Sequence, residues 1–442
     1  MTIRMDEGAA ELLDTLHRAG YAAYVVGGCV RDSLLGLTPH DWDLCTSALP
    51  QQGMELFGEE KCIPTGLQHG TVTVKQGGGL YEITTFRTEG AYTDGRHPDE
   101  VHFVPDVRED LARRDFTINA MAYNAKEGLV DPFGGQDDLQ SGILRAVGVP
   151  HQRFTEDALR ILRLYRFAAR FGFAIDPPTA QAAQELCAHL DCVSVERIEE
   201  ELAKLLSAPA PAAYLDEKIL GVVLPELSPE ALAAAKPVVD ACPAGEQALP
   251  VRLAALLLSL GEDGTRRTLR RLRCSNACIE ETAVLVREAV PGVPGAFSSD
   301  TNRAIPSPAL LPAATGSHPS GRSSEKLPAR PPVSLNIYTR KLLGQYGLKT
   351  VQRLAALGTA LQPEHAADFA ALSELAEQLD ADGVCCRVSQ LAVNGRDLMA
   401  AGVPSGPGIR KVLEALLDGV IREEYPNERQ ALLTAVQQLA AS

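Results

Sequence analysis

The chain has 442 residues, a formal net charge of −15 at pH 7 and a hydrophobic content of 45%, which is typical of a globular protein of two or more domains. It has no run of about 18 apolar residues, so a transmembrane helix is not expected, and residues 1–7 have no apolar stretch that would predict a signal peptide. The negative charge argues against a protein covered with nucleic acid, although basic residues cluster after Arg153 and over 266–273.

The predicted elements change from strands to helices along the chain. An apolar period of about 3.6 residues over 8–20 predicts a first helix. Short apolar segments between glycine turns then predict strands over 22–26, 42–45, 71–75 and 81–86. After residue 150 the helical period predicts helices over 155–173, 178–190, 194–207, 246–260, 264–273, 276–290, 409–423 and 427–440. This order predicts an α+β fold, in which a small head with a mixed β-sheet and helices precedes an all-α neck, body and tail.

The segment Tyr24-Val-Val-Gly-Gly-Cys-Val-Arg-Asp32 predicts a strand that runs through a Gly-Gly turn into a helix. The free N–H groups at the start of a helix, together with the helix dipole, favour phosphate binding. Gly27 and Gly28 taken alone would be an ordinary turn. The turn therefore becomes a candidate phosphate site only through the residues that follow it.

The segment His40-Asp-Trp-Asp-Leu44 places two acidic residues two positions apart. On a strand, Asp41 and Asp43 would point to the same face. Such a pair is more often a solvated turn than a metal site. Close carboxylates repel each other unless a cation lies between them, however, and oxygen ligands suit Mg²⁺. A phosphate site next to a metal site is what nucleotidyl transfer requires.

Glu82 lies in the predicted strand over 81–86. The alternation of side chains puts Glu82 on the face opposite Tyr81 and Ile83. Two interpretations stay open for this residue. It is either a solvent-facing side chain or a third catalytic carboxylate beside Asp41 and Asp43.

The segment Arg113-Arg-Asp-Phe-Thr-Ile-Asn-Ala-Met-Ala122 begins with two adjacent arginines. They suit either a helix surface or a triphosphate, because the fork of a guanidinium matches phosphate oxygens. Arg114 is the candidate for triphosphate recognition. Asn119 is a weaker candidate for a hydrogen bond to a ribose hydroxyl.

The segment Glu156-Asp-Ala-Leu-Arg-Ile-Leu-Arg-Leu-Tyr-Arg-Phe167 predicts an amphipathic helix. Its polar side carries the charged residues Asp157, Arg160, Arg163, Arg166 and Arg170. An exposed helix with an Asp157–Arg160 ion pair would explain this pattern, and such a pair stabilises a helix by about 0.2–0.5 kcal/mol. Alternatively, a ligand that lies across this side would contact Asp157 and Arg160 together.

Over residues 20–210, these motifs together resemble those of the class II CCA-adding transfer-RNA nucleotidyltransferases, a family of the DNA polymerase beta superfamily. The resemblance implies template-independent addition of CCA to the 3′ end of tRNA from CTP and ATP, with release of pyrophosphate. It implies Mg²⁺ as the cofactor, held by Asp41 and Asp43, with Glu82 as a further catalytic carboxylate. The implied nucleotide-binding residues are Gly28, Arg31, Arg114, Asp157, Arg160, Arg163 and Arg166.

The implied roles of Asp157 and Arg160 have a physical basis. A carboxylate accepts a hydrogen bond from the exocyclic amine of cytosine or adenine, and a guanidinium donates to the neighbouring ring nitrogen. Uracil and guanine present the opposite pattern at those edges. One Asp–Arg pair is therefore expected to accept C and A and to reject U and G.

The resemblance and the composition together divide the chain into five predicted parts. They are a catalytic head over 1–148, a base-reading neck over 149–207, an RNA-binding body over 208–290, a Pro/Gly/Ser-rich insertion over 291–334 and a tRNA-binding body and tail over 335–442. The insertion departs from the family pattern. Its composition predicts disorder, because it has few large apolar residues to bury.

Alternative functions stay open within and outside the family. A poly(A) polymerase often has a basic C-terminal extension, which the segment after Glu423 does not resemble. A CC-adding specialist typically shortens a flexible loop, which residues 86–97 retain with glycines that suit a moving loop. An A-adding specialist is the third alternative within the family. Outside the family, His40-Asp41 would suit an HD phosphohydrolase, but a second His/Asp set is not found in the helical part. A non-catalytic RNA-binding protein would not need the paired acids.

The ten cysteines are scattered, and neither Cys274/Cys278 nor Cys385-Cys386 has zinc-site spacing with histidine partners. Reduced thiols in a cytoplasmic protein are therefore expected.

Overall fold

The computed structural model describes residues 3–90, 101–289 and 335–441. The predicted disordered insertion over 291–334 lies outside the described residues, and so do residues 91–97 of the predicted loop. The strands in the described part are β1 (Ala23–Val26), β2 (Leu44–Thr46), β3 (Cys62–Gly66), β4 (Thr71–Gln76), β5 (Gly79–Thr85), β6 (Arg87–Glu89), β7 (Val101–Phe103), β8 (Ala122–Asn124), β9 (Gly128–Val130), β10 (Ile143–Leu144) and β11 (Ala174–Ile175).

Helices follow and flank these strands. Those of the N-terminal half are α1 (Glu7–Arg18), α2 (Gly28–Leu34), α3 (Pro50–Phe57), α4 (Val107–Ala112), α5 (Gly135–Ser141), α6 (Pro150–Glu156), α7 (Leu159–Phe171), α8 (Pro177–Leu186), α9 (Val195–Leu206) and α10 (Glu217–Val223). Those of the C-terminal half are α11 (Pro229–Ala241), α12 (Leu249–Leu257), α13 (Gly261–Arg271), α14 (Asn276–Ala289), α15 (Leu335–Tyr346), α16 (Leu348–Leu361), α17 (Ala366–Ala381), α18 (Gly395–Ala400), α19 (Pro407–Ile421) and α20 (Arg429–Ala441). Among the described helices, none is long and apolar enough to span a bilayer.

The head contains a seven-stranded sheet in the order β3-β4-β5-β2-β1-β8-β9. β2 runs parallel to β5 and antiparallel to β1, so the sheet is mixed. Its core includes Tyr24, Val26, Cys45, Phe86 and Leu111, each at most 4% exposed. The predicted α+β fold, with a mixed-sheet head and a helical remainder, is confirmed.

The strand predicted over 42–45 begins later than expected. β2 starts at Leu44, and Asp41 and Asp43 lie in the extended segment before it. The Asp43 carbonyl still accepts a hydrogen bond from Val26 N at 2.9 Å, which ties this residue to β1. Asp43 is therefore held at the end of the sheet, while Asp41 lies one step further out.

The helix predicted over 155–173 is interrupted. α6 ends at Glu156 and α7 begins at Leu159, because Asp157 has an extended backbone with φ −143° and ψ 103°. Its carboxylate accepts a hydrogen bond from Leu159 N at 3.1 Å. A short acidic side chain that binds nearby N–H groups competes with the helix and favours a new helix start.

The chain forms two compact units. The first comprises Met1–Lys236, Ala244–Glu246 and Thr268–Cys274, and it contains the head and α6 to α10. The second is helical, and its C-terminal core includes Leu398, Leu416 and Leu432, each fully buried. The five-part division expected from the sequence stays a prediction.

Candidate active site

The Gly-Gly turn lies between β1 and α2 and requires glycine at its first position. Gly27 has φ +78° and ψ −123°, a conformation that residues with a side chain rarely adopt. A Cβ atom at Gly27 would lie 2.9 Å from Nη1 of Arg114. The turn and Arg114, which are far apart in the sequence, are therefore in close proximity, as two parts of one phosphate site should be.

Asp43 and Glu82 lie next to each other at one end of the sheet. The parallel pairing of β2 with β5 sets Leu44 opposite Ile83, so the ladder extended by one residue brings Asp43 level with Glu82. Glu82 lies on the exposed side of β5, as the alternation predicted. Its position fits the interpretation as a third carboxylate, which stays a prediction.

The pKa of Asp43 is shifted by burial and by the charged residues near it. Its pKa is raised, first by burial, because protein atoms surround the carboxylate although part of it stays exposed. The negative charges of Glu82 and Asp41 raise the pKa further, and the positive charge of Arg114 opposes them. Three acids and one arginine thus act on the same place in the head.

These acids suit a divalent cation, because close carboxylates favour a positive ion between them. Within the described ranges, no three His, Cys, Asp or Glu side chains are grouped closely enough to form a complete metal site. Asp41 and Asp43 would therefore supply only part of the ligand set. Mg²⁺ is commonly bound in this way, by one or two carboxylates together with phosphate oxygens and water.

Arg114 is held in place by a buried acid. Its Nη2 lies 3.3 Å from Oδ2 of Asp110, which is fully buried and also accepts hydrogen bonds from Arg113 at 2.9 and 3.0 Å. Burial opposes ionisation of Asp110, but the two arginines outweigh it, so the pKa is lowered. The Nε atom of Arg114 is buried without a hydrogen-bond partner in the described structure. Asp110 thus fixes Arg114 with its Nη1 atom beside the glycine turn.

Gly28 and Arg31 open α2, but Arg31 is in the interior. Arg31 is 4% exposed, and it donates to Asp32 at 2.7 Å and to Asn119 at 2.6 Å. Its guanidinium also lies 5.2 Å from the ring centre of Phe167 on α7. The donors of Arg31 are therefore largely used within the protein, and its predicted contact with a nucleotide stays a prediction.

The neck-helix arginines to which nucleotide binding is assigned are largely covered by protein, which argues against the exposed-helix alternative, while Arg170 near the end of α7 is exposed. Arg160 and Arg166 are each 9% exposed. The helical period in the sequence predicted a charged side of α7, but it did not predict that acidic residues of other segments would pack against that side. Arg160 donates to the Arg153 carbonyl at 3.1 Å, to Glu156 at 2.8 Å and to the Arg113 carbonyl at 3.0 Å.

Arg163 and Arg166 are bound by acids from outside α7. Arg163 contacts Asp115 at 2.7 Å and lies 3.6 Å from Glu201 of α9. Arg166 lies 2.5 Å from Glu201, and its guanidinium is 3.9 Å from the ring centre of Phe167. Burial lowers the pKa of Arg166 to about 10 despite the charge of Glu201. These contacts hold the arginines in fixed positions.

Asp157 and Arg160 do not form the ion pair that the exposed-helix alternative requires. Oδ2 of Asp157 accepts a hydrogen bond from Nη2 of Arg197 at 2.8 Å instead. Sequence reasoning missed Arg197 and Glu201, whose signal is weak: they are four residues apart on a predicted helix. Asp115 lies within the segment 113–122, whose sequence does not indicate that this residue binds Arg163.

The second basic segment, over 266–273, is largely neutralised by acids. Three of its arginines form ion pairs, Arg266 with Glu262 and Glu280, Arg271 with Glu226, and Arg273 with Glu196. Because these three side chains are paired with acids, the segment has less free positive charge for contact with RNA than its sequence indicates.

Comparison with known proteins was consistent with these observations. Residues 23–145 match the family model of the poly A polymerase head domain, residues 172–230 a model of an RNA- and SrmB-binding site of polymerase A, and residues 336–436 that of tRNA nucleotidyltransferase domain 2. The CCA-adding enzyme of Lactiplantibacillus plantarum is 34% identical over 99% of this chain and 97% of its own length. That of Lactobacillus delbrueckii is 44% identical over 63% of this chain and 70% of its own length. The crystal structure of the Bacillus stearothermophilus CCA-adding enzyme with CTP is similar with a TM-score of 0.78 and 30% identity, over 99% of this chain and 98% of that one.

Proposed function

This chain belongs to the CCA-adding enzyme family, and we propose that it adds the nucleotides CCA to the 3′ end of tRNA from CTP and ATP. The match to a CCA-adding enzyme over 99% of the chain supports this function. The observation that carries it is the meeting of the Gly27 turn, Arg114 and the acids Asp41 and Asp43 in one part of the head.

In the proposed reaction, the 3′-hydroxyl of the RNA attacks the α-phosphate of the nucleotide. A new phosphodiester bond forms, the bond between the α- and β-phosphates breaks, and pyrophosphate leaves. Arg114 and the Gly27–Gly28 turn bind and orient the triphosphate, and Arg31 contacts the incoming nucleotide. Asp41 and Asp43 would hold Mg²⁺, which would supply positive charge to stabilise the developing negative charge of the reaction.

Base selection is assigned to Asp157 and Arg160. Asp157 accepts from the exocyclic amine of cytosine or adenine, and Arg160 donates to the ring nitrogen. Arg163 and Arg166 support the nucleotide through the positions that Asp115 and Glu201 give them. We also propose a cytoplasmic location, because the ten cysteines are free thiols, the state that a reducing compartment maintains.

The function is tested with a tRNA that lacks its three terminal nucleotides. The protein is incubated with labelled CTP and ATP, singly and together, and the product length is read on a gel. The proposal predicts two added residues with CTP alone and three, ending in A, with both nucleotides. A long A tract, a product that stops at CC, an A added only to a CC end, or no product would each contradict it.

A further inference from the structure

Helix α9 contacts both groups of neck residues to which we assign nucleotide recognition. Near its start, Nη2 of Arg197 donates to Oδ2 of Asp157 at 2.8 Å. One turn later, Glu201 lies 3.6 Å from Arg163 and 2.5 Å from Arg166. The two residues of α9 are four positions apart, so they project from the same side of the helix. α9 thus pairs a positive side chain with Asp157 and a negative side chain with the two arginines of α7.

The carboxylate of Asp157 is held at two points. Oδ1 accepts from Leu159 N at 3.1 Å, and this contact belongs to the start of α7. The backbone of Asp157 is extended at the break between α6 and α7, so the helix ladder does not fix its side chain. A single hydrogen bond leaves a carboxylate free to rotate, whereas the second, from Arg197, sets its plane. Arg197 is therefore the residue that determines where the free lone pairs of Asp157 point.

Arg160 does not take over this task. Three of its five N–H donors bind the Arg153 carbonyl, Glu156 and the Arg113 carbonyl, and none of these bonds is to Asp157. The side chains of Arg197 and Asp157 are also shielded, with 23% and 16% exposed, unlike the nearby surface pair Lys204–Glu200 at 45% and 62%. A shielded ion pair holds its geometry better than a surface pair.

We propose that Arg197 is a positioning residue for nucleotide selection, which acts by orienting the Asp157 carboxylate and does not touch the nucleotide itself. This inference rests on the proposed base-reading role of Asp157. A correctly oriented carboxylate accepts from the amines of C and A and repels the carbonyl oxygens of U and G. Without Arg197, the carboxylate rotates, and the distinction between amine and carbonyl weakens.

The test measures selectivity, not only activity. For Arg197→Met, the kcat/KM values for CTP and UTP on a tRNA lacking CCA, and for ATP and GTP on a tRNA ending in CC, are compared with those of the unaltered chain. We expect the ratio of correct to incorrect nucleotide to fall roughly tenfold or more, the effect of losing one base contact. Arg197→Lys should restore most of the ratio, because Arg197 makes one hydrogen bond here and an ammonium group can replace it.

The control is Lys204→Met on the same helix, which removes an exposed ion pair and should leave the ratio unchanged. Thermal unfolding is recorded for every variant, and Arg197→Gln replaces Arg197→Met if the latter does not fold. An unchanged ratio in Arg197→Met would overturn the inference. An equal loss of kcat/KM with all four nucleotides would also overturn it, since that result indicates a purely structural role.

The variant Asp157→Asn distinguishes failure of the base-reading role of Asp157 from failure of the positioning role of Arg197. If Asp157→Asn keeps full selectivity, the base-reading role of Asp157 fails and the inference fails with it. If Asp157→Asn loses selectivity while Arg197→Met keeps it, only the positioning role of Arg197 fails.

Discussion

Arg163 of α7 donates two hydrogen bonds to the same oxygen of Asp115, from Nε at 3.0 Å and from Nη2 at 2.7 Å. The residues are 48 positions apart in the sequence. Asp115 also accepts a hydrogen bond from Asn119, which in turn accepts one from Arg31 of α2. A continuous set of polar contacts therefore runs from Arg31 of α2, the helix after the glycine turn, to the neck helix α7.

Acid should weaken this connection. Burial opposes the charge of Asp115, but Arg163 and Asn119 outweigh it and lower the pKa to about 2, below the usual 3.8. A carboxyl whose pKa is lowered in the folded protein stabilises the fold at pH values above the pKa of the unfolded chain. This stabilisation is lost as the pH falls from about 4 towards 2. The shift corresponds to about 2 kcal/mol.

Asp115→Asn should unfold at lower urea concentration at pH 7. Its free energy of unfolding should also depend less on pH between about 4 and 2, as measured by urea unfolding. An equal pH dependence in both proteins would contradict the assignment.

Gly27→Ala should damage the phosphate site. The φ of +78° costs a residue with a Cβ atom about 1–3 kcal/mol, and the new methyl group would displace Arg114. We expect kcat/KM for CTP to fall at least tenfold. The matched control is Gly20→Ala, which has φ +88° but open space around its Cβ position. Similar activity losses in both variants would mean that strain, not the displacement of Arg114, is responsible.

Asp41→Asn should abolish nucleotide addition while the fold persists. Asp41 is exposed before β2, so its charge contributes little to stability, while its loss removes a proposed metal ligand. We expect at least a hundredfold lower rate with Mg²⁺ and an unfolding temperature close to that of the unaltered chain. Asp14→Asn, at an exposed aspartate that pairs with Arg18, is the control and should keep full activity. Normal addition by Asp41→Asn would refute its role in metal binding.

Two glycines in helices should respond to alanine with opposite signs. A Cβ atom at Gly358 of α16 would overlap the ring of Phe369, so Gly358→Ala should destabilise by about 1–3 kcal/mol. Gly221 of α10 has open space at its Cβ position, and Gly221→Ala should stabilise by about 0.5–1 kcal/mol. Urea unfolding of the two variants measures both effects. Stabilisation by Gly358→Ala would show that α16 and α17 pack less closely than described.

Local patterns in the sequence were sufficient for the fold class and for several elements. The alternation around Glu82 predicted β5 and its exposed side because neighbouring side chains on a strand point to opposite faces. The helical period around Arg163 predicted α7 but not the break at Asp157 between α6 and α7, since one extended residue does not disturb the apolar pattern.

The sequence did not predict which residues the charged side chains of the neck contact. The covering of Arg163 by Asp115 and Glu201 depends on tertiary packing between the head, α7 and α9. A helical pattern assigns charged residues to a polar side of the helix. It does not determine whether that side faces solvent or packs against acidic residues. The contact between Arg197 and Asp157 was missed for the same reason.

Base selection by protein side chains is tested most directly by the 3′-end sequence of a tRNA product made with all four nucleotides present at equal concentration. No nucleic-acid template specifies the added residues, so any order must come from protein side chains. We expect the unaltered chain to make products that end in CCA, and the Asp157→Asn variant to make products with U or G at these positions. Frequent U or G in the product of the unaltered chain, or a tail of A alone, would contradict this expectation.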